Sequence, residues 1–195
     1  MIISKFGGTS LSTADRIKIL CKITEKGLDK RPILVVSAVS GVTDVLLDAT
    51  FSLKNKPLSI TKIRKIHNQL IKDLFNVKKQ KEVSKYVDLK LNEVSRLLCK
   101  ENYKKAEVDN IIAYGEIISS YIVTQALETF GIKAQQVVAN NLIVTDDNFG
   151  SAEFLPALTQ KKVIDVLEPI TKKNIVPVVT GFMGSTKDGQ ITTLG

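Results

Sequence analysis

The chain has 195 residues, a formal net charge of +8, 44% apolar residues, no Trp and two cysteines. That length suits one ordinary α/β domain or a large part of a bigger one, and the apolar content excludes a disordered chain. Without a run of about 18 apolar residues or a signal-peptide pattern at the start, a soluble cytoplasmic protein with no membrane partner is expected.

The first element is a short strand, Met1-Ile2-Ile3, that runs into Lys5-Phe6-Gly7-Gly8-Thr9-Ser10. Two adjacent glycines let the backbone take angles that other residues avoid, and let its N–H groups approach an anion without a Cβ in the way. A helical pattern beginning near Leu11 would aim the positive end of its dipole at the same point. Lys5 would add a mobile ammonium, so the stretch reads in outline as a phosphate cradle. It reads equally well as a plain strand-to-helix turn with a solvated lysine. Leu11, Ile17, Leu20, Ile23 and Leu28 mark the helix face, Ser12 or Thr13 its cap, and Gly27 its end.

Pro32 to Val36 is a continuous apolar run, the pattern of a strand buried on both faces. A strand, helix, strand unit implies a right-handed crossover and parallel pairing with the first strand. Ser37-Ala38-Val39-Ser40-Gly41-Val42-Thr43-Asp44 follows at the carboxyl end of that strand, where open parallel sheets collect ligands. Its hydroxyls are candidates for substrate contacts or for helix capping. Helix resumes through Leu46, Leu47 and Phe51.

Two amphipathic faces, one from Ile60 to Leu74 and one from Val83 to Leu98, predict an antiparallel helical insert at about 57–105. Between Lys54 and Lys105 stand 15 Lys or Arg against 5 Asp or Glu, so the net charge belongs to this segment. The charges fall on solvent positions of helical patterns, so no nucleic-acid partner is expected. His67 lies here without a second His or a close Cys, which argues against zinc. Cys21 and Cys99 read as buried or half-buried thiols.

One long helix is predicted from about Lys105 to Phe130, closed by Gly131. Within it Glu116 is surrounded by apolar and small residues, so it must face solvent or be held by a partner. Gly115 beside it permits a close approach. A strand over Lys133 to Ala139, a possible short one at Leu142 to Thr145, and a polar loop through Asp146 and Asp147 come next. The paired aspartates read as turn chemistry. A helix from Pro156 to Thr171, with Leu158, Val163, Val166 and Leu167 inward, leads to the apolar strand Ile175 to Thr180. Lys187-Asp188-Gly189 then signals a hairpin turn before Thr192-Thr193-Leu194-Gly195.

Four of these pieces in this order resemble the aspartokinases of the amino acid kinase family. They are Lys5 to Ser10, Val35 to Ala38 with Gly41 to Asp44, Gly115-Glu116, and Val179 to Phe182 with Thr192 to Gly195. The resemblance implies a three-layer α/β/α sandwich around a mainly parallel sheet, and phosphoryl transfer from Mg-ATP, as co-substrate, to the side-chain carboxylate of L-aspartate. Carried over by position, Lys5 is the catalytic residue, and Lys5, Gly7, Gly8, Thr9 and Ser10 hold the ATP phosphates. Ser37, Thr43, Glu116 and Phe182 contact the aspartate, Glu116 through the α-ammonium. No metal ligand is assigned within the chain, and a homo-oligomer is expected.

Family members continue past Thr-Thr-Leu-Gly with an Arg-Gly-Gly-Ser-Asp segment, a nucleotide-binding half and regulatory domains. The 195 residues are therefore expected to be an N-terminal, aspartate-side part of the catalytic domain, its sheet incomplete at the C-terminus and its own activity weak or absent. The strand ending at Thr180 should then expose an apolar edge. Two alternatives stay open: another amino acid kinase acting on glutamate, acetylglutamate or carbamate, and a non-catalytic module that uses the basic helices.

Overall fold

A computed structural model describes residues 1–51 and 56–194. Lys54, where the basic segment begins, and Gly195, the last residue of the Thr-Thr-Leu-Gly motif, lie outside the described residues. The elements are β1 (Ile2–Phe6), α1 (Ala14–Lys26), β2 (Pro32–Val36), α2 (Val42–Phe51), α3 (Lys56–Leu74), α4 (Val77–Leu97), α5 (Lys105–Ile112) and α6 (Tyr114–Thr129). There follow β3 (Ala134–Val137), α7 (Pro156–Lys172), β4 (Val176–Thr180), β5 (Met183–Ser185) and β6 (Ile191–Thr193). β1 to β4 form a parallel sheet in the order β1-β2-β4-β3, and β5 and β6 pair as an antiparallel hairpin.

The layering follows from the period-2 geometry of strands. Leu34, Val36, Val176 and Val178 enter one core with Ile17 and Leu20 of α1, Leu46 of α2 and Ile122 of α6. Ile33, Val137 and Val179 enter a second core with Leu167 and Ile170 of α7. The sheet thus has helices on both faces, an α/β/α sandwich, and its central strands β2 and β4 are apolar at every position but Thr180 for that reason.

The inserted pair, α3 and α4, packs antiparallel as an outer layer, α3 on α1 and α2 and α4 on α6. Most of its lysines are exposed. Lys56 is the exception: buried at the start of α3, it donates to the carbonyl of Lys100 and to the Tyr103 hydroxyl, closing the open end of the pair. His67 also departs from a solvated basic helix, since it is fully buried on the inner face of α3.

Several expectations are corrected. The single helix from Lys105 to Phe130 is two, broken at Ala113, so Glu116 falls in the first turn of α6. α1 begins only at Ala14, capped by Thr13, with a short 3-10 turn over Gly8–Leu11 between it and the glycines. Ile23, Leu28 and Leu158 face outward. Leu142 to Thr145 forms only isolated bridges, from Val144 to Ser185 and from Thr145 to Phe154. Cys21 is buried, but Cys99 lies past the end of α4 and is exposed.

The expected open edge at Thr180 is wrong in place. β4 is fully buried and paired on both sides, because the chain lays it between β2 and β3. The apolar strand with an edge left without a partner among the described residues is β1, where Ile3 is 66% exposed.

Candidate functional site

Parallel register sets the site. Phe6 lies opposite Val36 and Val36 opposite Thr180, so the chain leaves β1, β2 and β4 at one level of the sheet. Gly7, Ser37 and Gly181 therefore emerge side by side at the carboxyl ends of the strands, the edge where such sheets bind ligands. Backbone hydrogen bonds stitch the three exits together: Ser37 N–H to Phe6 O at 3.1 Å, Ser40 N–H to Gly8 O at 3.3 Å, and Gly181 N–H to Val36 O at 2.8 Å.

Over this edge opens a cavity of about 460 Å³, lined by Lys5, Gly8, Ser37, Thr43, Glu116 and Phe182 among others. Its size falls in the ordinary range for small-molecule sites. Six of the residues singled out in the sequence, spread from β1 to the terminal hairpin, are thus gathered around one space. Gly7, Thr9 and Ser10 are not among its lining residues; Ser10 N–H closes the turn on Gly7 O at 2.9 Å.

The glycine turn works by closeness and not by unusual angles, because neither Gly7 nor Gly8 has a positive φ. A Cβ at Gly8 would stand 2.8 Å from the carbonyl oxygen of Ala38, a distance that real side chains do not tolerate, whereas nothing lies within 4 Å of one at Gly7. Gly8 lets the β1 exit nest against the β2 exit, and Gly7 leaves its flank open. Gly115 does for α6 what Gly8 does for β1. A Cβ there would meet the Ala38 side chain at 2.8 Å, so its absence seats the first turn of α6 on the same loop.

That seating delivers Glu116. Its side chain is 2% exposed; Oε1 accepts the Ala38 N–H at 3.1 Å, and Oε2 has no partner among the described residues. Burial pushes the carboxyl up to about 7, with the Ala38 N–H and the residue's own backbone pulling the other way. An unpartnered carboxylate oxygen at the wall of a cavity is an acceptor in want of a cation. Ser119, one turn on, braces the arrangement by donating to Ser37 O at 2.6 Å.

Phe182 forms the opposite kind of wall, apolar and 39% exposed. It holds a φ of 59°, rare for a bulky residue and costly by about 1–2 kcal/mol. Leu194, which also lines the cavity, fixes it there by donating its N–H to Phe182 O at 3.0 Å. Leu194 and Asp44 also belong to the lining, with Ala38 to Gly41 of the loop after β2, and were given no role in the sequence reading. Both stood within quoted motifs, Asp44 in Gly41 to Asp44 and Leu194 in Thr192 to Gly195, without a role of their own. Asp146 keeps to turn chemistry, its Oδ1 accepting the N–H groups of Asn148 and Glu153. No group of three His, Cys, Asp or Glu able to hold a metal occurs among the described residues.

With this geometry in hand, comparison with known proteins gives a direct result: the model of the Amino acid kinase family matches residues 1–195. The chain belongs to the amino acid kinase family. Within it, an aspartokinase of Rickettsia felis is 34% identical over 197 residues, covering 100% of this chain and 37% of the relative. An aspartokinase of Chlamydia muridarum is 28% identical, covering 100% and 42%. The solved structure of E. coli aspartokinase III in complex with aspartate and ADP superposes with a TM-score of 0.92 at 24% identity, over 100% of this chain and 43% of that one. At that identity the likeness is one of fold. The chain spans about two fifths of the length of these family members.

Proposed function

We propose that this chain is the aspartate-side part of an aspartokinase catalytic domain, with the helical pair α3 and α4 as its insert. The reaction is transfer of the terminal phosphoryl group of ATP to the side-chain carboxylate of L-aspartate, giving 4-phospho-L-aspartate and ADP. This is the step that opens lysine, threonine, methionine and diaminopimelate synthesis. The observation that carries the reading is the unpartnered, buried Oε2 of Glu116 at the cavity wall. The α-ammonium of an amino acid supplies the missing cation and, with it, the free energy lost by burying the carboxylate.

Ser37 and Thr43 offer hydroxyls to the rest of the substrate, and Phe182 closes the pocket against it. Lys5, whose tip is in water at the end of β1, neutralises charge on the phosphates, while the N–H groups at Gly7 and Gly8 approach them, with Thr9 and Ser10 completing the turn. Such transfer requires alignment and charge neutralisation more than a strong base, which fits a site whose one cationic lining residue among the described residues is Lys5. Mg-ATP is the co-substrate, and its ion would neutralise phosphate charge when bound; no residue here is assigned to the metal. A homo-oligomeric, cytoplasmic enzyme belongs to the same reading.

Titration calorimetry of the 195-residue chain tests it. L-aspartate is expected to bind, N-acetyl-L-aspartate to bind at least tenfold more weakly, and a Glu116→Ala variant to lose the difference. Equal binding of the acetylated compound contradicts the role given to Glu116, and preference for L-glutamate would move the assignment to another branch of the family.

A further inference from the structure

Asp109 is 1% exposed, sits on α5 and is not one of the residues lining the cavity, yet it is among the most heavily bonded side chains in the described residues. Oδ2 accepts the N–H groups of Gly150 and Thr193, both at 2.9 Å, and Oδ1 accepts the Thr193 hydroxyl at 2.8 Å. Its main-chain oxygen accepts the Ala113 N–H at 3.1 Å, at the corner where α5 ends and α6 begins.

Two walls of the cavity meet at this residue. On one side the corner at Ala113 sets the start of α6 and so the place of Glu116 in its first turn. On the other, Thr193 belongs to β6, pairs with Met183 of β5, and is followed by Leu194, whose N–H holds Phe182 in its left-handed conformation. The hairpin is also held by Met183, buried in the core it shares with Ile33, Val137 and Val179, by isolated bridges, and by polar contacts such as Thr145 to Thr192 at 2.8 Å.

We propose that Asp109 is a positioning residue of the site, a buried clamp that fixes the Phe182 and Leu194 wall relative to Glu116. The clamp is a matter of hydrogen-bond geometry. Asparagine keeps it, because its oxygen serves the two N–H groups and its amide donates to the Thr193 hydroxyl, which accepts as readily as it gives. Alanine removes it and leaves three donors without acceptors, two of them on the buried Thr193.

The test uses the whole 195-residue chain labelled with 4-fluorophenylalanine, whose seven positions are resolved by fluorine NMR with Phe182 assigned through Phe182→Leu. In Asp109→Ala the Phe182 signal is expected to move while that of Phe75, buried in the other core, stays. L-aspartate affinity is expected to fall about tenfold. Asp109→Asn is expected to restore both. A folded Asp109→Ala with an unmoved Phe182 signal overturns the proposal. If that variant does not fold, Thr193→Val, which removes only the hydroxyl donor, decides in the same way. The affinity arm rests on the aspartate reading and the fluorine arm does not. A wild-type chain that binds no L-aspartate while Phe182 still moves in the variants sinks that reading and leaves the clamp standing.

Discussion

Glu116 and His67 are both buried ionisable side chains, and burial displaces them in opposite directions because it penalises whichever form is charged. Glu116 is raised from 4.5 to about 7, so its contribution favours the folded state fully below 4.5 and is lost as pH rises through 7. His67 is lowered from 6.5 to about 4, chiefly by burial and against the pull of its bond to Ile63. Its contribution is complete above 6.5 and is lost as pH falls through 4. In His67 the Nδ1–H donates to the Ile63 carbonyl at 2.9 Å, leaving Nε2 buried without a partner among the described residues. Each displacement is worth about 3 kcal/mol. Between pH 4.5 and 6.5 the two slopes oppose, so urea unfolding of the wild-type chain is expected to show a nearly flat stability there. Glu116→Gln should be more stable than wild type at pH 8 and lose stability steeply on acidification below 6.5, with His67 alone in control. An unaltered pH profile in Glu116→Gln would mean that the carboxylate is solvated in solution and carries no ligand-shaped deficit.

Elements are placed around the site by a few close approaches, and these differ in a testable way. Gly115→Ala gains about 1 kcal/mol of helix propensity but forces a Cβ into Ala38, an overlap that costs about 1–3 kcal/mol in a packed interior. The net result expected is a destabilised chain by urea unfolding, with the Glu116 bond to Ala38 broken. Gly7→Ala meets nothing and has an extended backbone, so its stability should match wild type within about 0.5 kcal/mol; a large loss there would contradict the open flank assigned to it. β2 and β4 were legible beforehand because a sheet covered on both faces writes continuous apolar runs in its central strands. Strand order was not legible: pattern says that Val176 to Thr180 is buried, and only the crossovers say what lies beside it. The break at Ala113 was not read, since alanine is the best helix former and the neighbouring Gly115 was taken as a close approach within one helix. Glu116 announced itself as a lone carboxylate in an apolar run. Asp109 did not, flanked as it is by Glu107 and Asn110, although Val108, Ile111 and Ile112 already outlined the buried stripe on which it falls.

At the scale of the whole molecule, the parallel sheet keeps its apolar centre but leaves β1 open, with Ile2 and Ile3 in water at its outer edge. A strand with free N–H and C=O groups and apolar side chains pairs readily with another chain. Sedimentation velocity is expected to show reversible self-association that Ile3→Lys reduces; a concentration-independent monomer in both would contradict this. The central claim is that the gathered residues form a site for a cationic amino acid group at Glu116. Its most direct test is calorimetric titration of L-aspartate at pH 7 in buffers of different ionisation enthalpy. Glu116, about half protonated there, must give up its proton to receive the ammonium, so binding should release about half a proton, and Glu116→Gln should abolish the release. Binding without proton release, or with a release that survives in Glu116→Gln, would contradict the account.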